Sequence, residues 1–375
     1  MSELKKVLER YRDPRLARRI AEKIRELASK IGEKILIMHV CGTHEWTITH
    51  YGIRHVLPEN VEVRAGPGCP VCVLPAADID SMIRLGLEER ISILTFGDVS
   101  RARGGRGLSL EDARGLGLDL RIVYSFQDAV EIASREPERR FVFFGVGFDT
   151  TCPSVAHAVL RGLPSNMVVL SSHRYVPPAV GWVMCREDLE VDGFIAPGHS
   201  GTVTGMRPYR EYFERNPRPI VFSGFEPLDV LVSIYMVLRQ LSTARYSIEN
   251  EYTRSVTWEG NARAMATALE VFELKEGLWR GIGLIEGSAF DFREKYSRVD
   301  ARAVYGIEQP RSDPGMPGGC RCAEVIIGKA TPTECPLYMR VCTPRTPVGP
   351  CMVSVEGTCK IWADHRILRR EVERA

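Results

Sequence analysis

Eight short apolar runs, most of them rich in β-branched residues and each ending in a loop of small or polar residues, constrain the fold of this chain most. Residues 34–40 run into CGTHE, 61–64 into AGPGCPVC, 91–96 into GD and 121–124 into SFQD. Residues 141–146 run into GFDTTCP, 167–170 into SSHRY, 193–196 into PGHSG and 219–222 into SGFEP. Stretches that can hold a helix, such as 78–87 and 154–161, lie between many of them. Continuous apolar strands separated by helices make parallel sheets covered on both faces. The fold class is therefore α/β, with two doubly wound parallel-sheet units. The charged segment REPERR marks a cut near residue 140 and gives α/β domains over 35–140 and 141–250. An amphipathic helix is expected over 3–31, where Leu8, Tyr11, Leu16, Ile20, Ile24, Leu27 and Ile31 recur at helical steps. Asp13-Pro14 interrupts it. Further helices are expected over 228–241 and 261–273.

The charge balance excludes some function classes. Lys plus Arg is 50 and Asp plus Glu is 48, which gives no general reason to bind nucleic acid or an anionic membrane. No apolar run approaches the ~20 residues of a membrane span. The first twenty residues are charged throughout, unlike a secretory signal, so a cytoplasmic location is expected. There, eleven cysteines point to metal binding or redox chemistry rather than a disulfide framework.

In open α/β sheets ligands bind beyond the carboxyl ends of the strands. That rule places Cys41, His44, Cys69, Cys72, Asp149, Thr150, Thr151, His173, His199 and Glu226 at convergent positions. Turn chemistry accounts for the Gly and Pro of these loops, but not for so many Cys, His and carboxylates. Cys69-Pro-Val-Cys72 has the spacing of a thiol/disulfide couple or a soft-metal chelate. If Cys69 sits just before a helix, the helix N-terminus favours its thiolate. Cys41, followed by glycine and a polar triplet, suits iron or a soft electrophile. His157, Cys152 and Cys185 read as ordinary packing or connecting residues.

After residue 310 periodicity disappears and Pro, Gly and Cys become frequent. Cys320, Cys322, Cys335, Cys342, Cys351 and Cys359 fall within forty residues. Four thiolates suit a [4Fe–4S] cluster, whereas tetrathiolate zinc favours paired CxxC knuckles, which this tail lacks. Residues 1–34 and 251–375 are accordingly expected to form a helical, cluster-binding domain. No CxxxCxxC is present, which disfavours a radical enzyme using that triad. Spacing alone does not choose four ligands among the six.

Together, CGTHE, GPGCPVC, GFDTT, PGHSG and the tail CRC…C…CTP…GPCMVS-EG-C resemble the HypD family of [NiFe]-hydrogenase maturation factors, from about residue 35 to about residue 360. The resemblance implies two α/β domains, a [4Fe–4S] domain and a role in assembling the Fe(CN)2CO group of the hydrogenase active site. It implies a HypC-type chaperone and a HypE-type cyanide donor as partners. The family's C-x14-C-x6-C-x16-C pattern falls on Cys320, Cys335, Cys342 and Cys359, leaving Cys322 and Cys351 outside it. The resemblance makes Cys41 an iron ligand and Cys69 and Cys72 a redox couple fed by the cluster. His44 and His199 are the histidines placed to hydrogen-bond cyanide or move a proton. The family's GFETT reads GFDTT here, so Asp149 is one methylene shorter, and Trp46 after CGTHE carries little weight.

Three functions compete on these residues. The first is a redox scaffold that assembles an iron–cyanide–carbonyl group, not a conventional turnover enzyme. The second is an iron–sulfur-dependent dithiol/disulfide reductase, which does not require Cys41. The third is a zinc-stabilised binding module, which does not require redox-active cysteines.

Overall fold

The computed structural model describes residues 9–367. The first helix, Pro14–Ile31, begins at the Asp13-Pro14 step: the Asp13 side chain accepts from Arg15 N and proline occupies the first turn. It ends on Gly32, whose φ of 74° places it in the left-handed region. The expected segment before residue 9 lies outside the described residues.

All eight apolar runs are strands. They are β1 (Ile35–His39), β2 (Val61–Ala65), β3 (Ser92–Thr95), β4 (Leu120–Ile122), β5 (Phe141–Phe148), β6 (Met167–Arg174), β7 (Gly193–Pro197) and β8 (Ile220–Ser223). Three more follow: β9 (Ile248–Asn250), β10 (Phe272–Trp279) and β11 (Gly283–Phe292). The expected helices appear as Ala76–Glu88, Cys152–Arg161, Pro227–Thr243 and Ala262–Val271. The protein is α/β. Among the described residues no helix is long and apolar enough to cross a membrane.

The strands form two sheets. The first has the order β2-β1-β7-β8-β9 and is parallel throughout. The second has the order β10-β11-β6-β5-β3-β4; its β3–β6 part is parallel and the β10–β11 hairpin joins it antiparallel. This corrects the expected division at residue 140. That cut falls inside the second sheet, because β3 before it pairs with β5 after it. The chain leaves the first sheet after β2, builds β3 to β6, and returns at β7. Each run is apolar whichever neighbour it pairs with, so local pattern carries no record of the crossover.

Residues 1–34 and 251–375 do not form one separate unit either. Helix Pro14–Ile31 packs on helix Pro227–Thr243, and Ile24, Ala28, Ile35, Ile37, Leu231 and Ile234 share one core at the first sheet. The β10–β11 hairpin extends the second sheet. Its residues alternate only weakly between buried and exposed, so the period-2 signal of a strand is faint there.

A buried ion pair ties the second sheet to the chain beyond it. Arg302 Nη2 donates to Asp78 Oδ1 at 2.8 Å, and Ser172 Oγ of β6 donates to Asp78 Oδ2 at 2.8 Å. Both charged side chains are nearly inaccessible. Replacing one partner of such a pair strands the other charge in low dielectric, at a cost of about 3–5 kcal/mol. Asp78→Ala is therefore expected to lower unfolding free energy by that amount in a denaturant titration. A loss below about 1 kcal/mol would show that the pair does not hold these segments together.

Candidate functional site

The carboxyl ends of both sheets face one cavity of about 270 Å3, whose lining includes Cys41, Asp98, Asp149, His199, Ser200 and Glu356. Cys41 follows β1, Asp98 follows β3, Asp149 follows β5, and His199 and Ser200 follow β7. Glu356 arrives from the cysteine-rich tail. Beside it lies a smaller cavity whose lining includes Cys41, Cys69, Cys72, Cys351 and Glu356.

Cys41 caps helix Gly42–His50 in extended conformation. Adjacent parallel pairing of β1 and β2 puts the GPGCPVC loop against it. The approach is closer than any side chain allows: a Cβ on Gly68 would lie 2.4 Å from Cys41 N, and one on Gly42 would lie 2.4 Å from Glu356 O. Cys69 and Cys72 are joined as a disulfide, with Cα atoms 5.3 Å apart. Cys69 does not open a helix. Residues 70–73 form a turn and the next helix begins at Ala76, so the expected help from a helix N-terminus is not supplied.

Burial dominates the electrostatics. It pushes the Cys41 thiol up to about 11, with the Glu356 carboxylate adding to the shift; the helix N-terminus next to it does not offset this. Burial also raises Glu356 to about 7, helped by Asp98. Asp149 rises to about 7 for the same reason, although Val176 N and Ser200 Oγ donate to its Oδ2 at 3.2 and 2.9 Å. Its Oδ1 is buried without a partner. Two carboxyls thus hold or release protons near neutrality at the edge of the Cys41 cavity.

His199 stacks on Phe225 with ring centres 3.8 Å apart, and burial lowers its pKa. His44 stacks on the same Phe225 at 4.8 Å but does not line the cavity. Its Nε2 faces the carbonyls of Ser223 and Gly224 at 3.3 and 3.0 Å, and burial pushes it down to about 3. His173 lies within the second sheet, against Ser171 Oγ at 3.1 Å. Glu226 caps helix Pro227–Thr243 and pairs with Arg12. Thr150 and Thr151 line the cavity, and Thr151 Oγ1 donates to Phe148 O at 3.0 Å. The structure therefore brings Cys41, Cys69, Cys72, Asp149, Thr150, Thr151 and His199 together, and leaves His44, His173 and Glu226 outside.

Several residues here carry no local signal. Glu45, part of CGTHE but not a candidate, is fully buried and bonded by His39 Nε2 at 2.8 Å, by both Arg54 terminal nitrogens at 2.8 Å and by Trp362 Nε1 at 2.7 Å. Burial acts to raise its pKa, but Arg54 and His39 outweigh it and hold the carboxylate well below the usual range. Glu356 and Asp98 sit in loops whose sequence gives no hint that they meet; Ser354 Oγ donates to Asp98 Oδ2 at 2.8 Å.

The tail cysteines also gather. The Cys322 thiol is within hydrogen-bonding reach of Cys320, Cys351 and Cys359, and Cys342 neighbours Cys320 and Cys335. Cys351 N donates to Cys322 Sγ at 3.2 Å and Cys359 N to Cys351 Sγ at 3.4 Å. Among the described residues no three Cys, His, Asp or Glu side chains converge to hold a single metal ion. Thiolates that each bind a separate iron of a cluster stand apart around it. Cys320, Cys335 and Cys342 lie outside regular helices and Cys359 lies in the first turn of helix Thr358–Asp364, and four sulfur donors suit such a group by their chemistry. Cys351 lines the smaller Cys41 cavity and contacts Cys322 and Cys359.

Two measurements test these electrostatics. A carboxyl with pKa about 7 in the fold and about 3.9 unfolded stabilises the fold fully below about pH 4, and that contribution is lost as pH rises through 7. Relative to Asp149→Asn, the wild type is expected to lose on the order of 2–4 kcal/mol between pH 4 and 7; parallel pH–stability curves would overturn this. Glu356→Gln is expected to lower the Cys41 pKa and speed its alkylation at pH 8 several-fold, read peptide by peptide by mass spectrometry. An unchanged rate would show that Glu356 does not act on the thiol.

The family model described as "HypD: Hydrogenase formation hypA family" matches residues 15–366. A putative hydrogenase expression/formation protein of Methanocaldococcus jannaschii is 44% identical over 359 residues, covering 94% of this chain and 98% of that protein. The hydrogenase maturation factor HypD of Cupriavidus necator is 40% identical over 365 residues, 94% of this chain and 95% of its own length. That of Escherichia coli is 38% identical over 369 residues, 96% and 98% respectively. The chain belongs to the HypD family of hydrogenase maturation factors.

Proposed function

We propose that this chain is the iron-holding redox scaffold on which the Fe(CN)2CO group of a [NiFe] hydrogenase is assembled, with a HypC-type chaperone sharing the iron and a HypE-type protein delivering cyanide. Iron, the cargo, binds the Cys41 thiolate in the cavity. One observation carries this reading: Cys351 lines the cavity of Cys41, Cys69 and Cys72 and also bonds Cys322 and Cys359. A thiol path thus runs from the tail cysteines to the iron site.

The chemistry asks for that path. Cleaving the S–C bond of a thiocyanate donor to thiol and cyanide takes two electrons. The Cys69/Cys72 dithiol supplies them by closing to the disulfide. One thiol proton goes to the donor sulfur and the other is released as cyanide binds iron. Asp149, with a free buried Oδ1 and a pKa near 7, holds a proton in the adjoining cavity that Cys41 also lines, and His199 provides a neutral imidazole there. His44, committed to two backbone carbonyls, has no part in this reading.

Reopening the disulfide takes two electrons and two protons. A [4Fe–4S] cluster held by Cys320, Cys335, Cys342 and Cys359 would supply electrons one at a time, and the contact of Cys322 with Cys351 offers a short covalent and hydrogen-bonded tunnelling route inward. Cyanide transfer, not general disulfide reduction, is favoured because Cys41 shares the cavity with the couple.

The test separates the three sets of cysteines. Anaerobically purified protein is expected to contain about four iron and four sulfide, lost in Cys320→Ala. Cys351→Ser is expected to keep iron and sulfide but to lose reductive opening of Cys69–Cys72, read by thiol alkylation after dithionite. Cys41→Ala is expected to keep both and to lose the infrared bands of cyanide and carbonyl in the co-purified complex. Stoichiometric zinc without sulfide would sink the reading, as would cyanide bands that survive Cys41→Ala.

A further inference from the structure

We propose that the arginine-rimmed face over Cys320 and Cys342 is the docking surface for an acidic one-electron carrier protein, the source of the electrons that reach Cys69–Cys72. This rests on the reading of the tail cysteines as the electron supply.

The face surrounds a cavity of about 540 Å3 whose lining includes Arg103, Arg280, Arg345, Met316, Val341 and Val348. Its centre is apolar: Val341 is 58% exposed, and Met339, two residues before it, is 37% exposed. Arg345 of the lining is exposed, as are Arg106 and Arg340, the chain neighbours of the lining residues Gly105 and Val341, and none of the three appears in an ion pair among the described residues. Arg103 contributes a further cation, shared with Asp112 at 3.4 Å. The other nearby carboxyls are Asp80, which accepts from Gly105 N at 3.0 Å, and Asp313, close to Arg280. Cations outnumber anions here, although the chain as a whole is nearly neutral.

The wall beneath is thin. Val348 N donates to Cys342 Sγ at 3.3 Å, and Cys320 N donates to Pro317 O at 2.9 Å. Of the six tail cysteines, Cys320 alone is partly exposed rather than buried. Arg280, 2% exposed, lines the cavity and is close to the thiols of Cys320 and Cys322, with a buried Nε that has no partner among the described residues. Arg101 Nη2 and Arg103 Nε hold the 344–348 loop through the carbonyls of Pro344 and Pro347 at 2.9 and 3.3 Å.

A small apolar centre with a rim of one sign fits a short-lived encounter steered by charge. The partner is acidic because the rim is basic. It is a redox protein because the face lies one residue from the thiols. Each encounter passes one electron inward and oxidises the carrier by one. Two encounters, with two protons from solvent, open one Cys69–Cys72 disulfide to two thiols.

The probe is an acidic plant-type ferredoxin. Calorimetry measures its binding to the full chain, with or without bound iron–sulfur, and stopped-flow absorbance measures electron transfer into the anaerobic holoprotein. Arg340→Glu/Arg345→Glu is expected to weaken binding and slow transfer at least tenfold at low salt, while reduced methyl viologen reacts as before. Both effects are expected to shrink at high salt. Arg263→Glu, an exposed arginine of helix Ala262–Val271, is expected to change neither. Unchanged binding in the double variant, an equal loss in Arg263→Glu, or tighter binding of single-stranded RNA than of ferredoxin would each overturn the proposal. If sulfide analysis finds no cluster, the electron-supply reading fails, and the calorimetric arm still decides whether this face binds an acidic protein.

Discussion

The carboxylate of Glu45 joins β1 and the helical turn after the next helix to the distant cysteine-rich tail. His39 belongs to β1, Arg54 follows helix Gly42–His50, and Trp362 lies in helix Thr358–Asp364, 317 residues beyond Glu45. A carboxylate buried this completely is costly unless its lone pairs are filled. Here a bidentate guanidinium, an imidazole and an indole fill them, and Thr49 Oγ1 adds another donor at 2.6 Å. The other nitrogen of His39 faces Cys41 O at 3.2 Å. The position of Cys41, and the seating of the tail against the first sheet, follow from this one satisfied charge.

With the tail seated, the cleft is closed to bulk water on several sides, and burial sets the protonation of what lies inside it. The Cys41 thiol stays protonated far above neutral pH, so without a bound ion it is a weak nucleophile. A cation changes that logic, because binding a soft metal displaces the proton outright. The same desolvation brings Asp149 and Glu356 near neutrality, where each can take up or return a proton at little cost. A buried thiol beside carboxyls that hold protons suits the proposed iron site.

The place of Cys322 and Cys351 changes the weight of the tail. They lie outside the four-cysteine pattern, yet Cys351 is the tail cysteine that reaches the cavity of Cys41. The proposed cluster is then a supply on the far side of a buried dithiol. The proposed site of chemistry is the strand-end cavity, with the arginine-rimmed face outside it as the entry for electrons.

The local pattern of apolar runs was enough to place eight strands to within a few residues, because strand burial on both faces leaves an uninterrupted apolar signature. It also placed the reactive loops at strand ends, and the ordered motifs named the family. It was not enough for pairing: β1 and β2 join β7 to β9 rather than β3, since an apolar run fits either sheet. The hairpin of β10 and β11 was missed because its alternation is weak. His44 was expected in the cleft from its spacing after Cys41, but the helix turns its ring toward Ser223 and Gly224. The amino-acid sequence by itself determined which residue types stand at the strand ends and in the tail, through residue type and local spacing. Only the tertiary structure decided which of them meet, because Glu356, Asp98 and Cys351 reach Cys41 through long-range packing that leaves no periodic trace along the chain.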